Sequence, residues 1–263
     1  MGNATVLSVK VSVNALRKTM MKALIDGDIL CYRIGFATQS KDGTDVLSEP
    51  LVRHRVDEFI SDILLYDLPD CEDYEGYLST DSRSNFRVKL AVTAPYKGQR
   101  IAAKPANHGL IQKYLLTDWG FHDIIGQEAD DSLAQEQTEL VDSSIIVSID
   151  KDMLQVPGWH YNFVRREKTY VTADTGFYNF CTQMLTGDRA DNIVGIRGCG
   201  PVKAARILAE ASDSTLRLRA CADAYRESGD DTLQHFRENA KLLWLRRRKD
   251  SKPELIEEMM ETL

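Results

Sequence analysis

Nine acidic residues recur where an α/β chain would leave its sheet or start a helix. Asp26 closes ALID, Asp81 follows YLST, and Asp150 and Asp152 follow IVSI. Glu128, Asp130 and Asp131 open EADDSLAQEQTEL, while Asp188 and Asp191 lie three apart in GDRADN. One such carboxylate is most often a turn or N-cap residue. Nine brought to one crevice would repel one another unless cations neutralised them, and an oxygen-only ligand set suits Mg²⁺ or Mn²⁺. Two such ions about 4 Å apart orient water, lower its pKa and stabilise the leaving oxygen in phosphodiester hydrolysis. Asp28 lies on the same side of an extended chain as Asp26 and either joins this set or caps the helix that follows.

From Ser82 to Thr117 there is no Asp or Glu, while Arg83, Arg87, Lys89, Lys97, Arg100, Lys104 and Lys113 are all cationic, with Phe86 and Tyr96 among them. Such a segment can clamp a phosphate and stack an unpaired base. The plainer reading is a solvated face, although a surface that serves solubility alone mixes its signs. The net charge of −7 does not argue against a polyanionic partner, because setting the nine acids aside leaves +2. Further on, VGIRGCGPVKAARIL carries Gly195, Gly198 and Gly200 ahead of Pro201, a residue suited to a first helical position. Amides at that helix start would form an anion site, with Lys203 and Arg206 close by; the alternative is a tight turn between packed helices.

Elements must position these residues. Lys22–Ile25 running into Asp26, Tyr77–Thr80, Phe121–Gly126 and Ile145–Asp150 are expected as strands, the last buried on both faces. Val52, Val56, Phe59, Ile60, Ile63 and Leu64 recur at helical spacing, as do Leu110, Ile111, Tyr114 and Leu115 before Gly120. Alternating strands and helices imply an α/β fold with a mainly parallel central sheet flanked by helices, whose carboxyl ends face one crevice. A hairpin is expected within Tyr161–Thr172, and the chain from about Phe177 onward reads as helical.

Of 263 residues, 43% are apolar, enough for a sizeable core. No apolar run approaches the roughly 18 residues of a membrane helix, so no membrane partner is expected. MGNATV begins like a myristoylation signal, but Val6 stands where Ser or Thr is needed. The five cysteines form no C-x-x-C pair and suit reduced thiols, for which a cytoplasmic location is the default. The five histidines have no zinc-ligand spacing.

Together, ALIDGD, TDSRSNFR with PYKGQR, EADD, SIDKD and GDRADNIVGIRGCGPVKAA resemble, in order and chemistry, the motifs of the flap endonuclease and 5′-nuclease superfamily, which includes the 5′-nuclease domain of DNA polymerase I and bacteriophage 5′-exonucleases. The resemblance runs from about Lys22 to Ala209. It implies a PIN-like core over residues 21–180 with a helical arch at about 82–108, and a helix-hairpin-helix region over 181–263. Residues 1–20 would be an extension. It also implies two-metal, 5′-to-3′ exonucleolytic or flap-endonucleolytic hydrolysis of DNA, or of an RNA primer. The substrate would be a duplex with a 5′ flap, nick or free 5′ end, acted on by a monomer in phage replication, repair or recombination. The chain's brevity and the lack of a fused polymerase make it look most like a stand-alone phage enzyme.

By the same motifs, Asp26 and Asp81 match the first two acidic positions. Glu128, Asp130, Asp131 and Asp150 would hold one ion, and Asp152, Asp188 and Asp191 the second. Lys97 and Arg100 would steady the phosphate, with Tyr96 near the unpaired nucleotide. Arg33 would contact the 5′ strand, with Phe86 and Arg87 also facing DNA. Gly198, Gly200 and Lys203 would grip the duplex, and Ile196 with Gly198 would bind K⁺. Two other readings are weaker. IDGDIL and GDRADN resemble haloacid-dehalogenase phosphatases with Asp26 as nucleophile, which leaves EADD and the glycine turn unexplained. A DNA-structure-binding module without catalysis would have no reason to keep a full set of acids.

Overall fold

The computed structural model describes residues 21–81, 83–99, 103–250 and 252–263. The expected extension over residues 1–20 and Arg100 lie outside them. Strand β1 (Met21–Asp26) leads into α1 (Gly27–Ala37), and α2 (Glu49–Asp62) continues through a π-turn to β2 (Cys71–Leu78). Next come α3 (Phe86–Leu90), α4 (His108–Thr117), the two-residue β3 (His122–Asp123) and α5 (Ala129–Leu140). Strand β4 (Ser144–Val147), a 3₁₀ turn at Lys151–Gln155, and the hairpin of β5 (Gly158–Asn162) with β6 (Glu167–Val171) complete the sheet. Among the described residues six strands form it in the order β3-β2-β1-β4-β5-β6, parallel except for β5 with β6.

β1 and β4 are apolar on both faces because each face meets a separate layer. Ala23, Ile25, Ile145 and Val147 point to α1, α2 and α4, whereas Leu24 and Ile146 point to Ala129, Leu133 and Ala134 of α5. A third core lies in the chain that follows: α6 (Ala173–Thr186), the short pair β7 (Gly187–Asp188) and β8 (Ile193–Val194), α7 (Pro201–Leu208), α8 (Ser214–Glu227), α9 (Gln234–Leu243) and α10 (Leu255–Met260).

Several boundaries differ from expectation: β4 ends at Val147 rather than Asp150, and the hairpin opens at Gly158 rather than Tyr161. β2 starts at Cys71 rather than Tyr77, because its polar first half is held by register with β1, from Met21 against Cys71 to Asp26 against Tyr77. β3 shrinks to two residues at the sheet edge, where only β2 pairs with it. Of the arch expected at 82–108, the described residues form α3, which lies against α9, and residues 91–99 and 103–107 are non-helical. Glu238 of α9 accepts from the Val92 and Thr93 amides at 2.6 and 2.8 Å, so this stretch is tied to the C-terminal helices.

Candidate metal and phosphate site

Parallel pairing brings the ends of β1 and β4 together, since Ile25 lies opposite Val147. Asp26, almost fully buried, caps α1 through Ile29 N at 3.0 Å and accepts from Ser148 Oγ at 2.7 Å. Ser148 also accepts from Asp150 N at 3.0 Å, and Asp150 Oδ1 accepts from Asp152 N at 2.8 Å. One serine thus spaces the acids of two strands. Asp152 also accepts from Gln183 of α6. Asp188, at the end of β7, accepts from Ala190 N at 2.7 Å and Asp191 N at 3.3 Å. Asp191 is joined to the core by the Tyr96–Lys97 segment: the Tyr96 hydroxyl lies within hydrogen-bond distance of both Glu128 (2.7 Å) and Asp191 (2.8 Å), and Lys97 N donates to Asp191 O at 2.8 Å. Lys97 Nζ forms an ion pair with Glu128 and lies 3.9 Å from Asp191 Oδ1.

The crowding is visible in protonation. Burial, with the charge of Asp28, pushes Asp26 up to about 7. Burial, with Asp150 and Asp188, pushes Asp152 up to about 7. Asp130 rises well above its ordinary value through burial and the charges of Asp26, Asp150 and Glu128. Burial also raises Asp28, partly opposed by hydrogen bonds from Ser79 and by the Lys97 charge. For Asp188 burial is outweighed by the hydrogen bond and charge of Lys151, and its pKa falls. Carboxylates from β1, α5, the β4 end and β7 therefore share one field with too few cations. That oxygen-only, cation-poor donor set fits hard divalent ions. Among the described residues no three acids stand close enough together to form a ligand shell as they are.

Several expected roles are corrected by packing. Arg87 is 1% exposed and does not face DNA. It makes a bidentate pair with Asp131 (2.6 and 2.8 Å) and donates to the carbonyls of Leu242 and Trp244. Asp131, fully buried, also accepts from Arg246 N and Glu128 N, so its oxygens face protein donors rather than an ion. Burial alone would raise its pKa, but Arg87 outweighs this and lowers it. Tyr96 is buried in the C-terminal core, with its hydroxyl between two acids, and offers no stacking face to a base. The Phe86 ring lies beneath two guanidiniums, Arg246 at 3.6 Å and Arg87 at 4.6 Å. Asp81 is exposed, and its carboxylate accepts from Arg83 N at 3.0 Å.

Asp28 enters the field of the site, held by Ser79 N at 3.0 and 3.2 Å. The i, i+2 spacing from Asp26 was the signal for it. Lys151 was missed altogether, although SIDKD places it between two of the candidate ligands. The run Arg246–Lys249 is largely structural: Arg247 donates to Gln155 O at 2.6 Å, Arg248 pairs with Glu258, and Lys249 pairs with Glu136 and Glu139.

The glycine turn adjoins the acids. Gly198 has φ +72° and, like Gly200, open space where a Cβ would stand. Cys199 N donates to Ile196 O at 2.9 Å, which closes the turn, and Pro201 starts α7 with Lys203 exposed in its first turn. A cleft of about 670 Å³ is lined by Lys151, Asp188, Arg189, Gly198, Gly200 and Pro201. A separate groove of about 790 Å³ runs past Tyr32, the exposed Arg33, Phe36, Arg55 and Phe59 to Ile149, the neighbour of Asp150.

No family model matches the chain. A stretch of 99 residues is 34% identical to DNA polymerase I of Borreliella burgdorferi, and it covers 32% of this chain but only 11% of the polymerase. Three solved structures are similar over most of the chain. A bacteriophage T5 5′-exonuclease with bound zinc has a TM-score of 0.52 and 18% identity, covering 84% of this chain and 99% of that one. A bacteriophage T5 flap endonuclease in a pseudo-enzyme-product complex with DNA and metal ions has a TM-score of 0.53 and 17% identity, covering 84% and 98%. Flap endonuclease-1 from Methanococcus jannaschii has a TM-score of 0.53 and 13% identity, covering 89% and 81%. Likeness at such identities speaks to the fold. Sheet order, flanking helices and these neighbours together give the chain the fold seen in these 5′-exonuclease and flap endonuclease structures.

Proposed function

We propose that the chain is a divalent-metal-dependent 5′ nuclease, hydrolysing DNA phosphodiesters near free 5′ ends or flaps. The observation that carries the reading is a cleft lined by both Asp188 and the Gly198–Pro201 turn: an acid of the cluster and the backbone of the turn share one short segment. The neighbours described with DNA and with metal ions add support.

In this reading Asp26, Asp28, Glu128, Asp130 and Asp150 supply the first ion's oxygens, and Asp152, Asp188 and Asp191 the second's. Asp131 and Asp81 are left out. Bound Mg²⁺ or Mn²⁺ would supply a water of lowered pKa and charge stabilisation for the leaving oxygen. Arg87 and Asp131 clamp the first turn of α5 and so hold Glu128 and Asp130 in place. Tyr96 and Lys97 fix Glu128 relative to Asp191, and Lys97, with Arg100, steadies the phosphate. The amides of the 198–201 turn and Lys203 hold duplex backbone, as a helix N-terminus favours an anion. Turn carbonyls near Ile196 and Gly198 are candidates for K⁺. Arg33 guides the 5′ strand along the aromatic groove.

The test is a time course on 5′-labelled flap, nicked and blunt duplexes with Mg²⁺ and with EDTA. Short labelled products that require Mg²⁺ are expected. Identical product yields with and without the ion, or none in either, would sink the reading.

A further inference from the structure

Lys151 has no part in the chemistry above, yet it occupies a position that chemistry needs. Its ammonium lies 3.1 Å from Asp188 Oδ2 and 3.6 Å from Asp152 Oδ1, bridging two of the three acids assigned to the second ion. Those acids come from different parts of the fold, Asp152 from the 3₁₀ turn after β4 and Asp188 from β7. The lysine side chain is 72% exposed, so it can leave with little loss of packing. A divalent ion approaching the same oxygens at about 2.0–2.1 Å would meet the ammonium within its coordination space. Two cations do not share that space.

We propose that Lys151 is a positioning residue, an internal counter-ion that holds Asp152 and Asp188 together in the ion-free protein and is displaced when the second ion binds. The inference rests on the two-ion reading and adds to it a built-in competitor. Lysine suits the role better than arginine would, because its compact ammonium makes point contacts rather than a two-pronged clamp on a carboxylate. Once displaced, the side chain remains at the rim of the cleft that it shares with Gly198 and Pro201. The second ion then binds more weakly than the number of acids would suggest, because each binding event breaks an existing pair.

The experiment is calorimetric titration of the full chain with Mn²⁺, without DNA, comparing wild type, Lys151→Met, Lys151→Arg and Arg189→Met. Wild type should bind two ions. Lys151→Met should tighten the weaker site about fivefold, the scale of a partly exposed ion pair, and leave the tighter site unchanged. Lys151→Arg should stay at or below wild-type affinity. Arg189→Met removes a cation that lines the same cleft and should change the weaker site by less than twofold, about the effect of unpaired surface charge. In EDTA, Lys151→Met should melt below wild type, and Mn²⁺ should close the gap. Two-site binding in wild type with no tightening in Lys151→Met, or equal tightening in Arg189→Met, overturns the lysine proposal and leaves the nuclease reading standing. Wild type that binds fewer than two ions overturns both.

Discussion

At the scale of single residues, the buried acids predict how ions and pH act together. Asp26 and Asp152 are held at about 7 against 3.8 in the open chain. Between those values the folded state keeps protons that the unfolded state has released, so ion-free stability falls as pH rises from about 4 to 7. Asp188 has a lowered value, and its contribution is lost only as pH falls below about 4. His108, held at about 4 by burial and the Lys104 charge, acts oppositely: its contribution is full above 6.5 and lost as pH falls toward 4. Comparing ion-free with Mg²⁺-loaded protein cancels His108. Melting curves should show a larger Mg²⁺ effect at about pH 7.5 than at about pH 5; an equal effect at both would contradict the assignment of these acids. Asp150→Ala and Asp188→Ala should still bind duplex DNA but cleave it at least about a hundredfold more slowly, the scale of lost metal stabilisation. Asp81→Asn should cleave within about twofold of wild type, as expected of an exposed residue.

At the scale of elements, the start of α5 depends on one buried pair. Removing Arg87 alone leaves Asp131 buried and uncompensated, so Arg87→Met should cost about 3–5 kcal/mol in urea unfolding. The double change Arg87→Met with Asp131→Leu should recover much of that stability, because two apolar groups need no partner. The β7–β8 pair is equally exacting. A Cβ on Gly195 would stand 2.3 Å from Gly187 N, inside the ladder that carries Asp188. A Cβ on Gly200 meets nothing within 4 Å. Gly195→Ala should therefore lower both the melting temperature and cleavage. Gly200→Ala should keep its melting temperature while weakening duplex binding, as read by fluorescence anisotropy.

For the whole molecule, the proposed function requires an acidic chain with net charge −7 to bind a polyanion. It can do so only if its acids are gathered and neutralised while cations face the duplex elsewhere. Arg33 and Lys203 are exposed on α1 and α7. Duplex affinity should fall linearly with log salt concentration, and Lys203→Met should reduce that slope by about one phosphate contact. An unchanged slope would take Lys203 off the duplex path.

Much of this was legible in the chain itself. The apolar runs of β1 and β4, the order of the acids and the glycine turn before Pro201 are local patterns, and local patterns determine which residues end strands and which start helices. What tertiary structure alone decided is who meets whom. Arg87 reads as one more cation in a basic segment, yet it is spent on Asp131, 44 positions away. Tyr96 reads as a stacking ring, yet its hydroxyl spans Glu128 and Asp191. Asp81 is left exposed because β2 stops at Leu78, while the first turn of α1 carries Asp28 to the Ser79 amide. Lys151 is an unremarkable surface lysine until β7 brings Asp188 within reach. Periodicity encodes the face a side chain takes, whereas a partner across the fold is set by how elements pack, and only that packing turns a row of acids into a site.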